Sequence, residues 1–124
     1  MVEGTRLGVD VAFSSADRAA LLDLGRTRTY RRHARVFHEG EVSDFVVVVL
    51  DGRVKILAST ADGSESVLGI RGPGALVGEL AAFDGGPRTA TAVALDPLRV
   101  RVVSAAEFRA FVAGRPGRRR IALR

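Results

Sequence analysis

Gly78-Glu79-Leu80-Ala81-Ala82-Phe83-Asp84-Gly85-Gly86-Pro87-Arg88-Thr89-Ala90-Thr91 is the stretch from which the rest of this chain is read. It opens on Gly-Glu-Leu-Ala, passes a short turn-forming insert, and closes on Pro-Arg-Thr-Ala-Thr. A small-residue turn at the start of a short helix offers several backbone N–H groups to an anion. The carboxylate of Glu79 accepts hydrogen bonds, for instance from a sugar hydroxyl. Arg88 brings a planar fork suited to two phosphate oxygens. One acceptor, one fixed cation and a group of amides match the chemistry of a phosphorylated ribose.

Outward from this stretch the pattern is β on both sides. Thr27 to Tyr30 and Arg35 to His38 read as two short strands broken at Glu39-Gly40. Phe45 to Leu50 is a β-branched run typical of a strand buried on both faces. Asp51-Gly52 is a turn, Val54 to Ala58 a strand, Asp62-Gly63 a second tight turn, and Ser66 to Ile70 the returning strand. Arg71-Gly72-Pro73-Gly74 is a loop leading into the quoted stretch. Thr89 to Leu95 and Leu98 to Val103 are two more strands, parted by Asp96-Pro97. Helices are expected at the ends. Ser14 and Ser15 precede an apolar run that includes Asp17 and stops at Gly25. Ser104 and Glu107 have capping-box spacing and open a helix with Phe108, Phe111 and Val112 on one face. About eight strands at 8–12-residue spacing with end helices predict a mainly β jelly roll or sandwich.

At 124 residues the chain is one domain in size, and its 47% hydrophobic content argues against disorder as a class. It has no cysteine, which removes disulfides and thiolate metal sites and fits a reducing cytoplasm. The longest apolar run, Phe45 to Leu50, is too short to span a bilayer, so no membrane association is expected. The formal charge of +5 is localised. Residues 115–124 hold five arginines and no acid, and the rest balances fourteen basic against fourteen acidic residues. The two divisions expected are a folded unit over 1–114 and a basic tail over 115–124.

The quoted stretch resembles the phosphate-binding cassette of cyclic-nucleotide-binding domains, a family that includes the sensor domains of CRP/FNR transcription regulators. Gly-Glu-[Leu/Ile]-Ala, a spacer and Pro-Arg-[Ser/Thr/Ala]-Ala form a restrictive pattern, and Gly40, Gly52 and Gly74 stand at turns where the family usually has glycine. The resemblance covers roughly Phe13 to Phe111. It implies a β-roll of the double-stranded β-helix type. It also implies a site in which Gly78 allows close backbone approach, the amides of Glu79, Leu80 and Ala81 meet phosphate oxygens, Glu79 takes the ribose 2′-hydroxyl, and Arg88 takes the cyclic phosphate. Thr89 is placed to bond the phosphate or a purine edge; the alternative is simply a β-branched strand start. Ile56, Leu68 and Val77 fall where the family lines the base pocket, and plain barrel core is the competing reading for each. The expected ligand is cyclic AMP, with cyclic GMP the alternative, and no cofactor or metal.

The remaining candidates read more plainly. His33 and His38, five apart on or between short strands, are expected at the surface or in turns rather than on a metal. Ser14, Ser15, Asp17 and Asp23 read as helix capping and a solvated face, not a hydrolase constellation, and no enzyme motif is present. In the regulators this chain resembles, a long dimerisation helix follows a Pro-containing break, and Arg118 to Leu123 fits its first turns. The tail's other reading is an electrostatic nucleic-acid arm. The resemblance thus implies a homodimer through the C-terminal helix, with DNA reached only through a domain outside these residues. A regulatory module of an enzyme or channel, and a degenerate β-roll used only for dimerisation, remain the alternatives. A winged helix-turn-helix encoded after Arg124 separates the regulator from the module.

Overall fold

The structure is a computed structural model that describes residues 9–10, 14–114 and 122–123. The elements in chain order are β1 (Val9–Asp10), α1 (Ser15–Leu22), β2 (Arg26–Tyr30), β3 (Arg35–Phe37), β4 (Phe45–Asp51), β5 (Val54–Ser59), β6 (Glu65–Arg71), β7 (Leu76–Val77), α2 (Glu79–Asp84), β8 (Thr91–Ala94), β9 (Leu98–Ser104), α3 (Ala105–Gly114) and β10 (Ala122–Leu123). Two four-stranded antiparallel sheets, β2-β9-β4-β7 and β3-β8-β5-β6, form the roll, and β1 pairs with β10 in a separate two-stranded ribbon.

The β4 run shows why the roll holds together. Side chains alternate across a strand, so its four consecutive valines divide between two cores. Val47 and Val49 point into the roll, among Val36, Phe37, Val54, Ile56, Val77, Ala92, Leu98 and Val100. Val46 and Val48 point outward and are covered by Leu21 of α1, Ala82 of α2, and Ala105, Phe108 and Val112 of α3. The strand is buried on both faces, as its unbroken apolar run predicts. The helices therefore act as the lid of a second core rather than as peripheral decoration.

Both helix starts carry the expected chemistry. Ser14 caps α1 in a reciprocal box with Asp17, and the Ser104 hydroxyl accepts from the Glu107 amide at 3.0 Å ahead of α3. Two differences from the sequence reading affect the site. The strand expected from Thr89 begins at Thr91, because Thr89 and Ala90 bend and the Thr91 hydroxyl accepts from the Glu39 amide at 2.9 Å. In addition, β5 and β6 change register between Ile56 and Leu57, so Gly69 faces Ile56 and Val67 faces Leu57. Leu68 is the extra residue of that bulge and lies 46% exposed. Of the tail read as a helix start, residues 115–121 lie outside the described residues. Ala122 and Leu123 are extended and pair with Asp10 and Val9. For these two residues a strand partner satisfies the backbone groups that a helix would otherwise have to pair within itself.

Candidate functional site

The quoted stretch folds as a compact loop–helix–loop between β7 and β8. Gly78 is the N-cap of α2 with φ of 87°, in the left-handed region, and it provides no side-chain cap. The first bond of the helix runs from the Ala82 amide to the Gly78 carbonyl at 3.2 Å. The amides of Glu79, Leu80 and Ala81 precede that bond, and a helix leaves such first-turn donors without an internal acceptor. At the other end Gly85, with φ of 80°, closes the helix, its amide bonded to the Ala81 carbonyl. The Asp84 carboxylate then accepts from the Gly86 amide at 2.9 Å. The insert predicted to form a turn is a helix stop followed by an Asp-anchored turn.

Backbone bonds strap the closing half of the stretch to the β3–β4 loop. The Arg88 amide donates to the Glu41 carbonyl, the Gly40 amide donates to the Arg88 carbonyl, both at 2.8 Å, and Val42 bridges Pro87. This ladder turns the Arg88 side chain inward, where only 3% of the residue is exposed. Its Nη1 donates to the Gly78 carbonyl at 3.1 Å and its Nη2 to the Phe45 carbonyl at 2.6 Å. The guanidinium carbon lies 3.9 Å from the Phe37 ring centroid and 4.8 Å from that of Phe45. The two rings meet edge to face, 6.3 Å apart at 67°. The buried Nε has no hydrogen-bond partner among the described residues.

A fully buried cation normally sits against a carboxylate. Arg88 does not: the ion pairs among the described residues are Arg53–Asp96 and Arg99–Asp51. Burial pushes its guanidinium below the ordinary arginine value, and the longer-range attraction of Asp44 and Glu41 works the other way. The group is ionised all the same. The site thus presents one buried positive charge whose described partners are all neutral, beside a helix start with uncapped amides.

The other predicted residues distribute as follows. Gly78 and Arg88 meet through the Arg88 Nη1 bond to the Gly78 carbonyl, and Glu79, Leu80 and Ala81 open α2 beside them. Thr89 is exposed at the exit of the stretch. Ile56 and Val77 are buried in the core inside the roll together with Phe37, whereas Leu68 stands apart at the surface of β6. His33 and His38 are exposed, His33 in the left-handed region at φ of 73° within the β2–β3 turn. No cluster of three or more metal-ligating side chains occurs among the described residues, and no helix among them is long and apolar enough to cross a membrane. Phe37 and Phe45 are the contributors that the sequence reading missed. The one signal in the sequence was that Arg88 is the single cation of the stretch, which says that it needs partners but not which.

The cassette also touches the C-terminal helix. Arg109 of α3 donates from Nη1 to the Ala82 carbonyl at 2.8 Å, a cation placed at the carbonyl end of α2. Ala82 is fully buried against Phe108 and Val112 in the second core.

Comparison with known proteins agrees with this geometry. The cyclic nucleotide-binding domain profile matches residues 27–115. The CRP-like cAMP-activated global transcriptional regulator of Mycobacterium tuberculosis is 34% identical over 111 residues, which cover 90% of this chain and 50% of that protein. The chain therefore spans about half the length of that relative. The N-terminal domain of a transcriptional regulator from Streptomyces coelicolor superposes with a TM-score of 0.71 at 34% identity, over 87% of this chain and 77% of that one. The cAMP-bound form of the EAL enzyme Bd1971 superposes with a TM-score of 0.69 at 27% identity, over 74% of this chain and 25% of that one. With the roll, the cassette and the profile all in agreement, this chain belongs to the cyclic nucleotide-binding domain family.

Proposed function

We propose that the chain is the sensor domain of a CRP-like transcription regulator and that it binds a cyclic purine mononucleotide, cyclic AMP in preference to cyclic GMP. The observation that carries this reading is Arg88. It is a buried cation with an unpartnered Nε and no carboxylate in contact among the described residues. An anion at this place relieves the cost of burying an uncompensated charge. The uncapped amides of Glu79, Leu80 and Ala81 add donors to the same oxygens, and Glu79 is assigned the ribose 2′-hydroxyl. Ile56 and Val77 are assigned the apolar wall for the base, together with Leu68, which β6 leaves exposed. The preference for cyclic AMP follows the similarity to the M. tuberculosis regulator, whose name records activation by cAMP.

The output runs through α3. Ligand bound at the start of α2 loads a helix whose other end is held by Arg109 and packed on Phe108 and Val112. A shift of α2 is passed to α3, and from there to a dimer partner and to a DNA-binding domain beyond these residues. The second reading, a cyclic-nucleotide module that controls an enzyme, draws on the structural likeness to the cAMP-bound EAL enzyme. In both readings the domain itself binds rather than catalyses.

Calorimetric titration of the 124-residue chain with cyclic AMP and with cyclic GMP tests the proposal. Saturable one-to-one binding that is lost in Arg88→Ala supports it. A wild-type chain that gives no heat with either nucleotide leaves the dimerisation-only β-roll as the better reading.

A further inference from the structure

We infer that Phe37 and Phe45 are positioning residues whose rings hold the Arg88 guanidinium in the cassette while leaving its charge unneutralised for the ligand phosphate. The inference rests on the reading of Arg88 as the phosphate partner and adds how that charge is kept ready.

A buried arginine needs electrostatic compensation. A carboxylate in contact supplies the most, but it also cancels the charge and repels an arriving phosphate. Aromatic faces supply a negative quadrupole with no net charge, so they compensate without competing. The contacts of Arg88 follow this second plan. Two ring centroids lie 3.9 Å and 4.8 Å from its guanidinium carbon. Its two hydrogen bonds go to the neutral carbonyls of Gly78 and Phe45. Its Nε–H is buried and has no partner among the described residues.

The rings come from different sheets, Phe37 from β3 and Phe45 from β4, so the corner exists only once the roll has closed. Phe45 contributes both its ring and its carbonyl, and its place is set by its pairing with Ser104 of β9. Gly78 lets the three groups meet. A Cβ there would lie 2.5 Å from Arg88 Nη1 and 3.2 Å from Phe37 Cε2. Asp44 and Glu41 attract Arg88 from a distance, so removal of a ring is expected to let the guanidinium shift toward them.

The test is titration of the 124-residue chain with cyclic AMP, with urea unfolding in parallel. Phe37→Leu removes the nearer ring and keeps apolar bulk; affinity is expected to fall about tenfold. Phe45→Leu is expected to lose about threefold, and Phe45→Tyr, which keeps a ring, to stay within about twofold of wild type. Leu21→Val, in the second core, loses stability without losing affinity. Adding Asp44→Asn to Phe37→Leu is expected to recover more affinity than Asp44→Asn gains in the wild-type background, a coupling that general loosening of the core does not produce. If Phe37→Leu does not fold, the Phe45→Leu and Phe45→Tyr pair decides. Wild-type binding that is lost in Arg88→Ala but unchanged or raised in the leucine variants overturns this inference alone. No binding by the wild-type chain, or full binding by Arg88→Ala, overturns the nucleotide reading and this inference with it.

Discussion

The chain handles its arginines in two opposite ways. At the surface, Arg53 grips Asp96 with a two-pronged contact at 2.8 and 3.0 Å, and Arg99 holds Asp51 at 2.6 Å. Those charges are neutralised in water, where pairing costs little desolvation and adds little stability. Inside the roll, Arg88 is dehydrated, lies against two rings and two carbonyls, and touches no carboxylate among the described residues. Surface pairing ties strand ends and turns together. Burial without a counter-charge creates a demand that an anion meets. The difference between the two kinds of arginine distinguishes a binding group from an ornament more sharply than residue type does.

Substitution can break this contrast. Arg88→Ala is expected to cost about 2–5 kcal/mol of cyclic-nucleotide affinity, the loss typical of truncating a buried charge-pair partner. Arg53→Gln, which removes a charge of the same sign, is expected to leave the calorimetric titration unchanged. Equal losses in the two variants would mean that net charge, not the buried site, attracts the ligand. Gly78→Ala comes next. Forcing alanine into the left-handed region costs about 1–2 kcal/mol of stability, readable in urea unfolding. The Cβ also meets the guanidinium of Arg88, so affinity should fall as well. Retained affinity would show that Arg88 need not sit where the structure places it.

Two smaller effects sharpen the picture. Thr89 is exposed at the exit of the cassette. If its hydroxyl accepts from the guanine amine, Thr89→Ala weakens cyclic GMP by about 0.5–1.5 kcal/mol and spares cyclic AMP. Equal losses in parallel titrations would assign the hydroxyl to the shared phosphate. The smallest effect concerns the surface pair. Arg53 holds the Asp96 carboxyl below its ordinary value, chiefly through their hydrogen bond. The folded value is depressed, so the contribution is complete above the unfolded value of about 4 and is lost as pH falls through the lower folded value. The stability gap between wild type and Arg53→Gln, followed by urea unfolding, should therefore be small at neutral pH and close on acidification. A gap that widens in acid would mean that the pair is not the source.

Much of this architecture is legible in the sequence. The β4 valines announced a strand buried on both faces, because no solvent-facing residue interrupts them. The helix starts at Ser14 and Ser104 and the turns at Gly52 and Gly63 rest on local chemistry, so a short window of sequence suffices to read them. The cassette was recognised for the same reason: its glycine, its helix start and its arginine fall within fourteen consecutive residues. Register was harder. The bulge that leaves Leu68 without a partner depends on how β6 seats against β5, and a one-residue slip leaves composition unchanged while altering the pairing. The strand start at Thr91 likewise depended on Glu39, 52 positions away, whose amide donates to the threonine hydroxyl.

By itself, then, the sequence determined what local physics can dictate: caps, turns, alternation, and a glycine–helix–arginine cassette suited to a phosphate. Only the tertiary structure decided what surrounds Arg88. Phe37 and Phe45 lie 51 and 43 positions before it, on strands of different sheets, and nothing in their own neighbourhoods marks them as its partners. Their meeting is a consequence of closing the roll. Contacts of this kind arise from packing between elements distant in sequence, where burial and register, rather than local propensity, determine which side chains share a space.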